Sequence, residues 1–359
     1  SAGRPMTAIN SSYYAATAYR SDRMPNQPPS AERSWIRRFA KFRLPWGLTQ
    51  EVALDDFLIR RKPSSLRFQE EMNKEREEKQ KLGTYIPAPY EHVNFHDRHD
   101  HESFRFSLWS KRSHFWIYLT GGGRGLFYIA FVVSMMTYFL MLFALDDPWL
   151  TTTVELLPIL ATWIFLPLFC WALGALVIRY LPHLWVKPSR GPIWEINRRT
   201  GLVTLFDYDN NGEYKKNGTI GELTAPFYEF DAYIATIPDR QGLVTNVLYI
   251  AHRYRDIVIN FRPLFAPGEG QLCCALWDFL QNYMDTSRPL PDLPRYEQYR
   301  HLDPTTAEYD RKTRRNPRFW IDMNDATFEQ ELYAMRGKID QIDTFQRPNL
   351  MARHVEYVD

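Results

Sequence analysis

Four histidines between residues 91 and 104 are the residues whose type and spacing come nearest to a metal site: His92, His96, His99 and His101. The segment reads EHVNFHDRHDHESF, and imidazole nitrogens with the neighbouring carboxylates would suit zinc or nickel. A helix would place the first two on one face, whereas only a strand would place the last two together. The spacing fits neither HExxH nor a paired-cysteine site, so a polar loop leading into the strand-like FRFSLW is the stronger interpretation. We therefore expect no resident metal.

Other chemistry is not signalled by the sequence. It contains no Gly-x-Ser-x-Gly elbow, no Walker A loop and no HExxH helix. The glycine-rich GGGRG at 121–125 precedes an apolar run rather than following a strand, so it does not predict a nucleotide phosphate loop. Cys273 and Cys274 are adjacent, where a disulfide would be strained, and Cys170 lies in an apolar run. These features predict a non-enzymatic protein with reduced thiols and no cofactor.

A basic, aromatic segment at residues 31–44 reads AERSWIRRFAKFRL and predicts an amphipathic helix. Such helices often lie on anionic membrane surfaces. The alternative is a helix that docks on a folded domain with its charges merely solvated, and the pattern does not choose between them. The candidate membrane-surface residues are Arg33, Trp35, Arg37, Arg38, Lys41 and Arg43.

Two apolar runs in the middle of the chain predict a transmembrane hairpin. Residues 126–145 and 156–178 carry no charged side chain, and about 20 apolar residues in a helix match the hydrocarbon core of a bilayer. The alternative is a pair of buried helices in a large soluble core, but such helices are rarely so long and so free of charge.

The flanking charges predict the orientation of this hairpin. Lys and Arg residues near spans tend to stay in the cytoplasm. They precede the first span and follow the second, whereas the loop 146–155 holds only acidic charges. We expect both termini to be cytoplasmic, with the short acidic loop outside. No leader peptide is signalled, so the first span serves as the insertion signal.

After the second span, short alternating apolar segments separated by turn signals predict an antiparallel β-meander. An amphipathic helix from Gly268 closes it, and a further amphipathic helix is expected at residues 324–345. By analogy this arrangement is a pleckstrin-homology-like (PH-like) split barrel, so the expected class is an α+β membrane protein. The predicted division is a cytosolic arm with a basic and a charged helix at 1–110, a transmembrane hairpin at 111–185, the β domain at 186–290, and a C-terminal extension at 291–359.

Several aromatic motifs carry a family resemblance: RTGLV at 199–203, WDFLQNYMD at 277–285, LPDLP at 290–294 and RRNPRFWIDM at 314–323. Together with the apolar hairpin, the stretch from Gly191 to Met323 resembles the DUF6708-type bacterial membrane proteins, whose function is uncharacterised. The resemblance implies association with type VI secretion effectors. It carries over no catalytic residue.

The expected function is therefore a non-enzymatic interaction protein of an interbacterial toxin system. Most specifically, it would be an immunity protein that binds and neutralises a cognate effector. The alternatives are a membrane-tethered adaptor or chaperone for effector loading and a PH-like protein that binds anionic lipids. The expected partners are a protein toxin, the bilayer and, as an option, a second copy of the chain. Nucleic acid is not expected, because 44 basic residues nearly balance 42 acidic ones.

Overall fold

The chain divides into two compact units. The computed structural model describes residues 13–31, 40–47, 62–87, 91, 93, 95–144, 149–208, 221–238, 242–264, 268–343 and 346–358. The first unit, here called the sheet unit, comprises Ser1–Tyr85, Asp97–Phe106 and Pro192–Asp359. The second, the hairpin unit, comprises Ile86–His96 and Ser107–Gly191. This division differs from the predicted one, because most of the N-terminal arm belongs to the same unit as the C-terminal half.

The elements follow in chain order. The strands are β1 Ser30–Ala31, β2 Ala40–Leu44, β3 Arg98–His99, β4 Ser103–Phe106, β5 Trp194–Asn197, β6 Leu202–Asp207, β7 Gly221–Pro226, β8 Phe230–Pro238, β9 Val244–His252, β10 Val258–Asn260 and β11 Tyr357–Val358. The helices are α1 Pro63–Lys81, α2 Lys111–Ala144, α3 Trp149–Tyr180, α4 Pro182–Trp185, α5 Gly270–Met284, α6 Pro304–Thr313, α7 Phe319–Asp322 and α8 Asp325–Asp340.

Two antiparallel sheets and one short parallel pair build the sheet unit. The five-stranded sheet has the order β3-β4-β5-β6-β7, and the four-stranded sheet has the order β10-β9-β8-β2. β1 and β11 pair in parallel. Along β5 the side chains alternate, so Trp194 and Ile196 are buried while their neighbours are half-exposed. The antiparallel strands predicted after the second apolar run are confirmed, but burial does not alternate in all of them, since β8 is buried at six consecutive positions from Phe230 to Ala235.

The segment predicted as a basic amphipathic helix forms a strand over its described part. β2 pairs antiparallel with β8, with Phe42 opposite Ile234 and Leu44 opposite Ala232. The helix prediction is wrong at these residues, because Phe42 and Leu44 also alternate with period two and the edge of β8 offers them a buried partner. A helix pattern and a strand pattern coexist in this sequence, and the long-range pairing decides between them.

The helix α5 lies at the centre of the core. Twelve of its 15 residues are buried, including Trp277, Phe279 and Tyr283. Trp46, from the N-terminal arm, packs edge to face on Trp277 with ring centroids 4.7 Å apart and donates its indole N–H to the Phe230 carbonyl. The arm is therefore part of the core rather than a separate lead. The predicted helices at 64–82, from 268 and at 324–345 are confirmed as α1, α5 and α8.

A buried arginine directly after β5 caps the C-terminal end of α5. Arg198 follows β5, is fully buried, and donates Nη1 hydrogen bonds to the carbonyls of Tyr283 and Asp285 at the end of that helix. Its Nε donates to Asp303 Oδ1 at 3.1 Å. A positive charge at a helix C-terminus satisfies carbonyls that have no partner within the helix. The turn beside it needs Gly201, whose φ of +70° excludes most side chains and whose Cα lies against the backbone of Thr17.

A second buried ion pair joins β8 to the chain termini. Arg253 Nη2 lies 2.7 Å from Asp231 Oδ1, and both side chains are almost completely buried. The same carboxylate oxygen accepts hydrogen bonds from the Trp46 indole and the Tyr357 hydroxyl, each at 3.1 Å. One carboxylate thus connects the N-terminal arm, β8 and β11.

Candidate functional site

The two apolar helices of the hairpin unit are its most distinctive feature. Both are long and apolar enough to cross a membrane. Only 6% of the most apolar stretch of α2, and none of that of α3, is buried within the protein. A core helix of a soluble protein would be mostly covered, whereas side chains such as Phe139, Trp163 and Phe169 are more than half exposed. This surface is the candidate functional site.

Small residues let α2 and α3 approach closely at one end of the hairpin. A Cβ placed on Gly123 would come within 2.7 Å of the Trp171 backbone nitrogen, and one on Gly174 within 2.9 Å of the Thr120 nitrogen. Close approach through small residues is typical of helices packed in membranes. Towards the loop end, the Tyr138 hydroxyl is 2.9 Å from the Thr153 hydroxyl. These contacts run along the length of the helices and fix their register.

The end of the hairpin unit where α2 begins and α3 ends is basic and aromatic. Trp109 and Trp185 stack with centroids 6.0 Å apart and a 4° angle between the rings. The buried Ser113 hydroxyl donates to the Trp185 carbonyl at 2.6 Å and ties the start of α2 to the end of α4. The exposed cations around this end are Lys111, Arg112, Arg179, Lys187 and Arg190. Trp, Lys and Arg are the residues that prefer the headgroup region of a bilayer.

One arginine lies well inside α2. Arg124 follows the start of the helix by 13 residues, which is about 20 Å at 1.5 Å per residue. Its side chain is exposed, and its guanidinium carbon lies 5.8 Å from the Trp171 ring centroid and 5.9 Å from that of Tyr128. On α3 the exposed Glu155 is close to the opposite end of the hairpin. Residues 145–148 of the predicted outer loop lie outside the described residues.

The histidines do not form a site in the part of the chain that the structure describes. His99 stacks on Phe104, Arg295 donates to its Nδ1 at 2.8 Å, and its Nε2 is 2.7 Å from the Tyr296 hydroxyl. Because arginine only donates, Nδ1 accepts and Nε2 carries the proton. Both nitrogens are therefore used in packing the sheet unit.

The other predicted ligands are dispersed. His101 stacks on Tyr299, and burial lowers its pKa. His96 belongs to the hairpin unit, and His92 lies outside the described residues. Within the described ranges no three His, Cys, Asp or Glu side chains could hold one metal ion.

The candidate membrane-surface residues are only partly described. Arg33, Trp35, Arg37 and Arg38 lie outside the described residues, and of Lys41 only the backbone, in β2, is described. The Arg43 guanidinium lies 3.9 Å from the Tyr357 ring centroid. Arg43 therefore packs against the fold from a strand, whereas the docking alternative expected a helix with its charges merely solvated.

A cavity of about 290 Å³ in the sheet unit was not signalled by the sequence. It forms where four segments distant in sequence meet, and its polar lining includes Tyr19, Ser21, Asp285, Arg288 and Arg353. Burial raises the pKa of Tyr19, whose hydroxyl makes no hydrogen bond to the described residues. Asp285 accepts hydrogen bonds from the backbone and hydroxyl of Ser21, whereas no described carboxylate pairs with either arginine. The cavity could therefore hold a small anion.

Comparison of the chain with known protein families, curated proteins and solved structures finds no match in any of the three. The resemblance to the DUF6708-type proteins therefore stays a hypothesis.

Proposed function

We propose that this protein is a membrane-anchored, non-enzymatic interaction protein whose α2–α3 hairpin spans a bilayer and holds the sheet unit on one side of it. The observation that carries the proposal is the uncovered apolar surface of two paired helices, each 32 residues or longer. Leaving that surface in water would be costly, since each Å² of apolar surface contributes about 25 cal/mol when it is removed from water. Lipid chains are the cover that its length and composition fit.

The connectivity supports an arrangement with the whole sheet unit on one side. The hairpin unit is inserted between β4 and β5, which pair antiparallel with Phe106 opposite Trp194. The Ile193 amide donates to the Phe106 carbonyl at 2.7 Å, so the chain leaves and re-enters the sheet unit at neighbouring points. Two spans return the chain to the side from which it left, as this pairing requires. The exposed cations at that end favour the cytoplasmic side of a bacterial inner membrane, with the acidic loop outside.

The interaction role is supported by a projecting helix. In α1 only Pro63 and Leu66 are buried, and later turns expose Phe68 and Met72, which are four residues apart on one face. Arg67 holds the start of α1 by donating to the Ile321 and Met323 carbonyls. A rigidly held helix with an exposed apolar pair offers a surface for a partner.

The narrower proposal is that the partner is a cognate effector and the protein its immunity factor. It rests on the family resemblance, and an adaptor for effector loading is the main alternative. An immunity protein and an adaptor both bind the effector. Loss of the immunity protein sensitises the cell to the toxin, whereas loss of an adaptor abolishes delivery of the toxin.

The first experiment tests anchoring and partnership together. Membranes from the native host are washed with sodium carbonate, extracted in mild detergent, and the full-length protein is purified with whatever accompanies it. We expect the protein in the carbonate-resistant fraction with a stoichiometric effector, whose recovery falls when Phe68 and Met72 are replaced by serine. The matched control is Tyr333→Ser on α8, which removes another exposed ring. Release by carbonate would contradict the anchor, and a pure protein without any partner would contradict the interaction role.

A second candidate function is binding of a small anion in the 290 Å³ cavity. The unpartnered Tyr19 hydroxyl and the two arginines favour it. Citrate, succinate and inorganic phosphate should raise the unfolding temperature of the detergent-solubilised chain, and Arg288→Gln with Arg353→Gln should remove that shift. Arg262→Gln, at an exposed arginine elsewhere, should leave it unchanged. An absence of any shift in unfolding temperature with the three anions would contradict this candidate.

The predicted binding of anionic lipids by a PH-like sheet unit is a further alternative, which salt-sensitive binding to phosphatidylglycerol vesicles would support.

A further inference from the structure

The contacts between α2 and α3 place their two internal charges at definite heights along the hairpin. Arg124 follows Gly123 and therefore lies level with Trp171 on the other helix. Glu155 follows the Thr153 contact by two residues and lies near the level of Tyr138. The two charges are thus separated along the helix axis by about 14 residues of α2, or about 20 Å.

This separation is shorter than the hydrocarbon core of a typical bilayer, which is about 30 Å. If Lys111 marked the start of the hydrocarbon, the apolar length down to the level of Glu155 would be about 40 Å, with Arg124 halfway along it. An arginine at the bilayer centre is among the most expensive side chains to place there. The favoured boundary is therefore at Arg124 itself, with the first turns of α2 in the headgroup region and beyond.

The surroundings of Arg124 suit a boundary residue. Its exposed guanidinium has no carboxylate partner among the described residues, and the Trp171 and Tyr128 rings beside it are of the kind that gathers at membrane interfaces. A Cβ added at Gly121 or Gly125 would meet nothing within 4 Å. The glycines therefore leave open space in which a headgroup can reach the arginine.

We propose that the Arg124 guanidinium binds a lipid phosphate at the interface on the basic side of the hairpin, and that the bilayer around the hairpin is thinner than average. The inference rests on the proposed anchoring of the hairpin. Arginine is suited to this role because its planar donors match phosphate oxygens and its long side chain can reach toward the headgroups. Lipid deformation of this kind costs little per ångström compared with a charge held in hydrocarbon.

A depth measurement tests the proposal directly. Nitroxide labels are placed singly at Gly122→Cys and Val132→Cys in full-length protein that carries Cys170→Ala, and the protein is reconstituted in phosphatidylcholine–phosphatidylglycerol vesicles. Gly122 has open space for the label, Val132 is exposed about halfway between the two charges, and the remaining cysteines are buried. The relative accessibility of each label to oxygen and to a polar nickel complex reports its depth. The label at residue 132 should lie deep in the hydrocarbon, and the label at residue 122 should lie at the headgroups. A label that is deepest at Gly122 would overturn the proposal.

Substituting Arg124 tests whether its contact with phosphate sets the depth of the hairpin in the bilayer, or whether the apolar length of the helices alone sets that depth. Arg124→Leu should move the Gly122 label several ångström towards the midplane and shift optimal stability to longer acyl chains in a series of 14, 18 and 22 carbons. Arg124→Lys should retain most of the original depth. An unchanged depth in Arg124→Leu would show that the arginine does not set the boundary. Carbonate release would instead mean that the anchor fails, whereas a carbonate-resistant protein with its deepest label at Gly122 would refute only this inference.

Discussion

Replacing Arg198 by methionine should strongly destabilise the sheet unit. The variant removes the guanidinium hydrogen bonds to the Tyr283 and Asp285 carbonyls at the end of α5 and leaves the buried Asp303 carboxylate without its cation. Breaking a buried ion pair by removing one partner costs about 3–5 kcal/mol. For a domain of this size that corresponds to a fall in unfolding temperature of about 6–15 °C.

The neighbouring arginine supplies a matched control. Arg199 is half exposed, and its nearest carboxylate contact is Glu102 at 3.4 Å. Exposed pairs contribute at most about 1 kcal/mol, so Arg199→Met should lower the unfolding temperature by no more than about 3 °C. Intrinsic tryptophan fluorescence of the detergent-solubilised chain reports the transition, because Trp46, Trp194 and Trp277 lie in this core. Equal losses in the two variants would refute the assigned role of Arg198.

The loss of stability in Arg198→Met, relative to the native protein, should depend on pH through the Asp303 carboxyl. Burial by itself raises the pKa of Asp303, but the Arg198 charge and hydrogen bonds outweigh burial, so the pKa lies below its usual value. A carboxyl with a depressed folded-state pKa stabilises the native state above its unfolded pKa of about 4. That contribution is lost as the pH falls through the lower folded-state pKa. The difference in free energy of unfolding between the native chain and Arg198→Met should therefore be constant from pH 7 to 5 and shrink below pH 4.

Three further outcomes are expected. Replacing residues 107–191 by a short Asn-Gly turn should give a water-soluble, monodisperse and cooperatively unfolding sheet unit, since the strands on either side already pair; an aggregated product in size-exclusion chromatography would contradict this. Gly174→Leu should separate the two hairpin helices and lower their thermal stability in detergent, while Gly122→Leu, which meets open space, should not; equal circular-dichroism melts would argue against the packing. Iodoacetamide at pH 8 should leave Cys273 and Cys274 unmodified until the protein unfolds, because burial raises the pKa of each to about 12; rapid alkylation of the native protein, read by mass spectrometry, would contradict their burial.

Local sequence patterns predicted the secondary structure correctly where a segment carried only one periodicity. The described part of the first uncharged run, 126–144, and the second run, 156–178, lie within helices, and the alternation from Trp194 to Asn197 forms a strand. The segment around Phe42 carried both periodicities, and its strand depends on β8, which lies almost 200 residues away. No local signal shows which of two patterns will find a partner.

The site residues that the sequence did not reveal depend on contacts between distant segments. Arg198 carries no local signal of burial, and Asp303, 105 positions later, supplies the carboxylate that pairs with it. Tyr19 and Arg353 come together in the cavity from opposite ends of the chain. Arg124 was visible as a charge flanking the first span, but its height relative to Glu155 required the register of the two helices.

The insertion of the hairpin between two paired strands also determines when the protein can fold. β4 emerges from the ribosome before both apolar helices, yet its partner β5 follows them, and β1 waits for β11 at Tyr357. At about 5–20 residues per second, synthesis from β4 to β11 takes roughly 10–50 s. During that time the proposed membrane anchor is complete, whereas β1, β2 and one edge of β4 still lack the strands that pair with them. If the hairpin is the proposed anchor, it is therefore targeted to the membrane before the sheet unit is complete, and these unpaired strand edges must be kept from aggregating until β11 is made.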